Sequence, residues 1–214
     1  MSSGERYPLG PVLRFLGACE GAVAWANPYG SDYERALSEC ADLDWIFWLI
    51  ETLDEDGYFD HRQELVRAAC GCARLSLGCV QGKGESSGAL EIVEGWCLGE
   101  KTTEDVRLRG EMVFGIYWGG AVYHHNPLEM AANRAHKSVY MALRSAVSDN
   151  PFLETEMAAN FSYSFLPCRE DALEEVLGVV RRELGPVLLA SFESYVREQI
   201  VGGGTGLAIH TDSV

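Results

Sequence analysis

HRQELVRAACGCARLSL, residues 61–77, decides the fold. Leu65, Ala69, Cys72 and Leu75 recur at three- and four-residue spacing, the stripe of an amphipathic helix, and strand-like alternation is scarce throughout the chain. Downstream, Gly78 to Gly88 contains four glycines and two serines and reads as a flexible connection. Ala89 to Leu98 then presents Leu90, Val93, Trp96 and Cys97 on one side, and Gly99 stops it. Thr102 or Thr103 caps the next helix, which runs through Val106, Val113, Ile116 and Tyr117 to about Val122. Asn126-Pro127 opens another through Ala131, Ala135, Val139, Ala142 and Ala146, and Asp149-Asn150-Pro151 reads as a break. Short helices follow over Met157–Phe165, Cys168–Leu184 (closed by Gly185-Pro186) and Val187–Val201. Upstream, Asp44 is expected to cap a helix through Trp45, Ile46, Trp48 and Leu49 to about Leu53.

The spacing therefore predicts an all-α protein, an antiparallel array or bundle of about eight or nine helices. It is read as a single domain over residues 1–201, with a soft boundary in the link 78–88 and a flexible tail over 202–214. Small residues mark close helix approaches, at Ala68, Ala69, Gly71 and Ala73, and again at Ala131, Ala132 and Ala135. The expected core holds Trp45, Trp48, Leu65, Cys72, Leu75, Val93, Trp96, Val113, Ile116 and Ala135.

The 214 residues include 32 acids against 17 bases, a formal charge of −15, and a hydrophobic share of 47% marks a globular chain. That balance argues against a nucleic-acid binder and against an anionic membrane surface. No apolar run approaches the roughly 20 residues that span a bilayer. The polar opening Met1–Arg6 fits a cytoplasmic protein. The seven cysteines, an odd number, are expected to be reduced and mostly packed as small hydrophobes. Acidity is uneven: residues 1–60 carry −9 and residues 151–214 carry −6, whereas the middle is nearly neutral. Two acidic ends that converge make a field suited to a protein partner with a basic surface. The expected contact residues are Asp42, Asp44, Asp54, Glu55, Asp56 and Asp60, with Glu170, Asp171, Glu174 and Glu175.

Motifs that carry chemistry are sparse. Thr52 to Gln63 imitates a calcium loop but lacks both anchoring carboxylates, at its first and twelfth positions. Cys70 and Cys72 point about 200° apart on a helix, so they do not share a metal. The run Gly202-Gly203-Gly204-Thr205-Gly206 has no following Lys-Ser/Thr and is not a phosphate loop. No catalytic residue, metal ligand or cofactor is assigned. One polar region remains, a pocket formed by Tyr117, Tyr123, His124, His125 and His136 that would suit a small ligand or an enzyme.

Leu65 to Ala142 carries Ala69-Cys70-Gly71-Cys72-Ala73-Arg74, then Ala89-Leu90-Glu91-Ile92-Val93-Glu94-Gly95-Trp96, Glu104-Asp105-Val106-Arg107 and Ala131-Ala132-Asn133-Arg134-Ala135-His136. This stretch resembles a family of alanine-rich, all-helical immunity proteins. The opening Gly17-Ala18-Cys19-Glu20-Gly21-Ala22, with Trp25 and Asp44-Trp45-Ile46-Phe47-Trp48-Leu49, is similar to one in bacterial and phage-associated proteins. The resemblance implies a non-enzymatic immunity or inhibitor protein that neutralises a toxin or defence effector. Two alternatives compete with it: a phage-encoded inhibitor that mimics nucleic acid, and a ligand-sequestering or enzymatic protein using the histidine region.

Overall fold

The computed structural model describes residues 7–80, 84–117, 127–165 and 171–202. Among the described residues are ten α-helices and no strand, so the fold is all-α with slightly more helices than the spacing predicts. No described helix is long and apolar enough to cross a membrane. The chain forms two compact units, residues 1–60 with 185–214, and residues 61–184.

The first unit opens with helices that periodicity did not reveal: α1 (Leu9–Phe15), α2 (Glu20–Ala26) and α3 (Tyr33–Glu39). Each has seven residues, too short for an apolar stripe to repeat. Local chemistry sets their ends instead. Gly17 turns at φ +86° after α1, and the Asp32 carboxylate caps α3 by accepting from the Arg35 amide at 3.1 Å. α4 (Leu43–Glu55) is capped by Asp42 rather than Asp44. The Asp42 carboxylate accepts from the backbone amides of Asp44 (3.0 Å) and Trp45 (3.2 Å), the reach an N-cap needs. Asp44 sits in the first turn, where the helix dipole favours an acid.

The second unit contains α5 (Arg62–Gly78), α6 (Gly84–Cys97), α7 (Thr103–Tyr117), α8 (Pro127–Val147) and α9 (Pro151–Phe165). α5, α8 and α9 pack most extensively on one another, with α6 and α7 against α8. The core runs through Val66, Ala69, Ala73, Leu90, Val93, Val113, Ala135, Val139 and Ala142. Its small residues let helix axes approach, and hydroxyls link them. The Ser138 hydroxyl on α8 and the Ser162 hydroxyl on α9 share a hydrogen bond at 2.7 Å, and Ser162 donates to the Cys72 carbonyl on α5 at 2.7 Å. Buried hydroxyls are tolerated because each finds a partner.

Gly84–Gly88, read as part of a flexible connection, is the first turn and more of α6, where Ser86 is buried against α8. The expected break at Asp149-Asn150-Pro151 separates α8 from α9, and the next helix starts directly at Pro151. Asn150 Oδ1 accepts from the Leu153 amide at 2.9 Å, and proline occupies the first position, where no amide is needed. α9 therefore begins six residues before the expected Met157. Thr102 is the cap of α7, in a reciprocal box with Asp105.

Gly185-Pro186 does not end a helix: α10 (Ala172–Tyr195) passes through it and continues as a wider-turned helical segment, Val196–Gly202. Pro186 is exposed, whereas Val176, Val180, Leu184, Leu188 and Phe192 form an unbroken buried stripe at four-residue spacing. Burying five such side chains, at roughly 1.5–3 kcal/mol each, outweighs the ~3 kcal/mol of an internal proline.

Of the expected core, Leu65, Cys72, Val93, Val113 and Ala135 are buried. Trp45, Trp48, Leu75 and Trp96 are only half-buried, and the Ile116 side chain lies outside the described residues. Trp96 stays near the surface because its indole N–H donates to Thr103 Oγ1 (3.2 Å) across the turn between α6 and α7. Residues 118–122 of the expected α7, Cys168, and residues 203–214 of the expected tail are likewise outside the described residues.

Candidate partner-binding site

α2 carries Trp25, and the Asn27-Pro28-Tyr29 turn that follows places Tyr29 against it, ring centroids 5.0 Å apart. Trp25 also packs on Trp45 of α4, at 5.5 Å. Trp45 and Trp48 are three apart, hence neighbours on one helix face. With Leu37 of α3 they are half-buried and border an apolar pocket whose inner wall includes Ala22, Ala36, Tyr33 and Phe192. Tyr33 meets Phe192 edge-on at 5.0 Å, which fixes that wall. The enclosed space is small, about 30 Å³.

Exposed carboxylates flank the half-buried residues that border the pocket. Asp44 and Glu51 lie one turn before and after Trp48 on α4, and Glu34 lies one turn before Leu37 on α3; all three are exposed. Asp42, already held by amides of α4, sits beside Trp45. Glu39 accepts from the Tyr29 hydroxyl at 3.1 Å and from Arg35 at 2.9 Å. Those bonds, the one from Arg35 foremost, hold its carboxyl below the usual range. Arg35, whose guanidinium lies 5.6 Å over the Tyr29 ring, is thereby neutralised. The concentration of acid follows the fold: the residues of the first unit count 15 acids to 4 bases, against 17 to 13 in residues 61–184.

The six expected contact residues of the first unit do not form one cluster. Asp42 and Asp44 are at the start of α4, whereas Asp54, Glu55 and Asp56 are exposed at its end, about 18 Å away at 1.5 Å per residue. Asp60 follows that end and is exposed. Asp171, Glu174 and Glu175 belong to the other unit, and Glu170 lies outside the described residues. Glu174 and Glu175 sit in the favourable first turn of α10, and Glu174 accepts from Arg181 at 2.8 Å. Glu34, Glu51, Trp25 and Leu37 were missed. The turn-spaced pattern Asp44, Trp48, Glu51 was the available signal for α4, but nothing marked the short α2 and α3 as helices.

The histidine pocket is only partly described. Tyr123, His124 and His125 lie outside the described residues, as does the side chain of Tyr117. His136 is buried on α8 with its Nδ1 2.8 Å from the Ser86 hydroxyl, and burial lowers its pKa, favouring the neutral ring. Among the described residues no three His, Cys, Asp or Glu side chains are grouped to hold a metal ion. Comparison of the chain with protein families, with curated proteins and with solved structures finds no match.

Proposed function

We propose that the chain is a non-enzymatic immunity or inhibitor protein that acts in the cytoplasm and holds a toxic or defence effector with a basic surface inactive. One observation carries this reading: the acid excess is gathered in the unit that also presents half-buried tryptophans at the mouth of an apolar pocket. Binding surfaces combine an aromatic centre with a charged rim. The centre supplies affinity, and the rim supplies orientation and encounter rate. The resemblance of Leu65–Ala142 to helical immunity proteins points the same way.

The test is recovery of a stoichiometric partner with the tagged full-length chain, followed by assay of the purified partner's own activity. The chain should abolish that activity. Asp44→Lys with Glu51→Lys should slow association and flatten its salt dependence while leaving the helical spectrum intact. A partner that remains fully active in the complex, or that binds the charge-reversed chain as fast at low salt, refutes the proposal.

A further inference from the structure

We infer that the pocket bordered by Trp25, Leu37, Trp45 and Trp48 is an anchor site that takes one aliphatic side chain from a basic stretch of the partner. This rests on the reading above and specifies its contact. Three features select the occupant. The wall is almost entirely apolar, so a charged or hydrogen-bonding group entering it would lose its water without compensation. The tryptophans at the mouth are half-buried, leaving indole surface for a further group to cover. Glu34, Asp44 and Glu51 each stand one helical turn from a mouth residue. A chain whose apolar side chain enters the pocket therefore passes its neighbouring residues over carboxylates, which favours lysine or arginine on either side and opposes acids. Arg35, the nearby cation, is already bound by Glu39 and leaves this field negative. Charge complementarity thus identifies a basic protein segment with a central apolar residue, and an acidic or purely apolar surface fits poorly.

The probes are three nine-residue peptides offered to the full-length chain: a leucine between lysine-rich flanks, a serine between the same flanks, and a leucine between glutamate-rich flanks. Binding is read from the indole N–H resonances of Trp25, Trp45 and Trp48 at low salt. The basic leucine peptide should shift these resonances and bind at least tenfold more tightly than either control. Asp44→Lys, a surface change that leaves the pocket wall intact, should weaken it at least threefold while lowering the thermal transition by no more than about 4 °C, the loss of a favourable first-turn acid. Equal binding of the two lysine-rich peptides would overturn the anchor site while leaving the electrostatic reading standing. Equal binding of the two leucine peptides would overturn the basic flanks and the reading on which they rest. Indole resonances that move with none of the three would overturn the inference outright.

Discussion

Gly71 of α5 lies against Val179 of α10, and replacing it with alanine gives a sharp test of the packing in residues 61–184. A Cβ built on Gly71 would lie 2.6 Å from Val179 Cγ1, about 1 Å inside the 3.5–4.0 Å at which two carbons are comfortable. Val179 is itself buried, and the offending atom is a methyl on a stiff β-branched side chain, so it cannot swing away cheaply. Overpacking of this kind costs about 1–3 kcal/mol. Against it stands the helix preference of alanine over glycine, about 1 kcal/mol. Gly71→Ala in the native background should therefore destabilise by about 0–2 kcal/mol net. In a Val179→Ala background the blocking methyls are gone, and the same substitution should stabilise by up to about 1 kcal/mol. The change of sign is the diagnostic, with a coupling of about 1–3 kcal/mol from a double-mutant cycle in urea. A coupling below about 0.5 kcal/mol would show that α5 and α10 do not meet at Gly71.

Other outcomes follow from buried groups. Burial lowers the His136 pKa, so the unfolded chain binds that proton more readily than the folded one. The resulting stability is present above the ordinary histidine value of about 6.5 and is lost as pH falls through the folded value. His136→Gln should remove that part of the slope in urea midpoints between pH 7.5 and 5, and an unchanged slope would contradict a neutral, buried ring. Burial also pushes the Cys72 thiol up to about 12 and Cys97 up to about 11. In native protein at pH 8, Cys19 and Cys79, both exposed, should react with a thiol reagent well before Cys40, Cys70 and Cys72, which unfolding should release. Trp96→Ala should cost about 1–3 kcal/mol, less than the 3–5 of a fully enclosed tryptophan, because one face already meets water. Chemical denaturation of the variant gives that figure directly.

The helical class was legible because α5 and α8 are long enough for their apolar stripes to repeat several times. Boundaries were less so, since they depend on which polar side chain reaches which amide. Asp42 and Asp44 are equally good caps in sequence, and only the extended backbone at Asp42 decides between them. Pro186 misled for a different reason: its local penalty is visible in the sequence, whereas the buried stripe from Val176 to Phe192 that overrides it becomes visible only once α10 is packed. The site was half legible. Acidity near Trp45 and Trp48 could be read along one helix. The pocket needs Trp25 and Leu37 from two seven-residue helices, and Phe192 from nearly 150 positions away in sequence.

Site-specific photo-crosslinking of the chain, inside cells that carry it, locates its contact face directly. A photoreactive residue replaces Glu51, beside Trp48, and in a second protein it replaces the exposed Glu91 of α6. The probe at position 51 should capture one predominant protein with a basic surface, raised salt in lysate should abolish the capture, and the probe at position 91 should not take it. Capture from position 91 alone, or an acidic protein captured from position 51 regardless of salt, would contradict the proposed contact face.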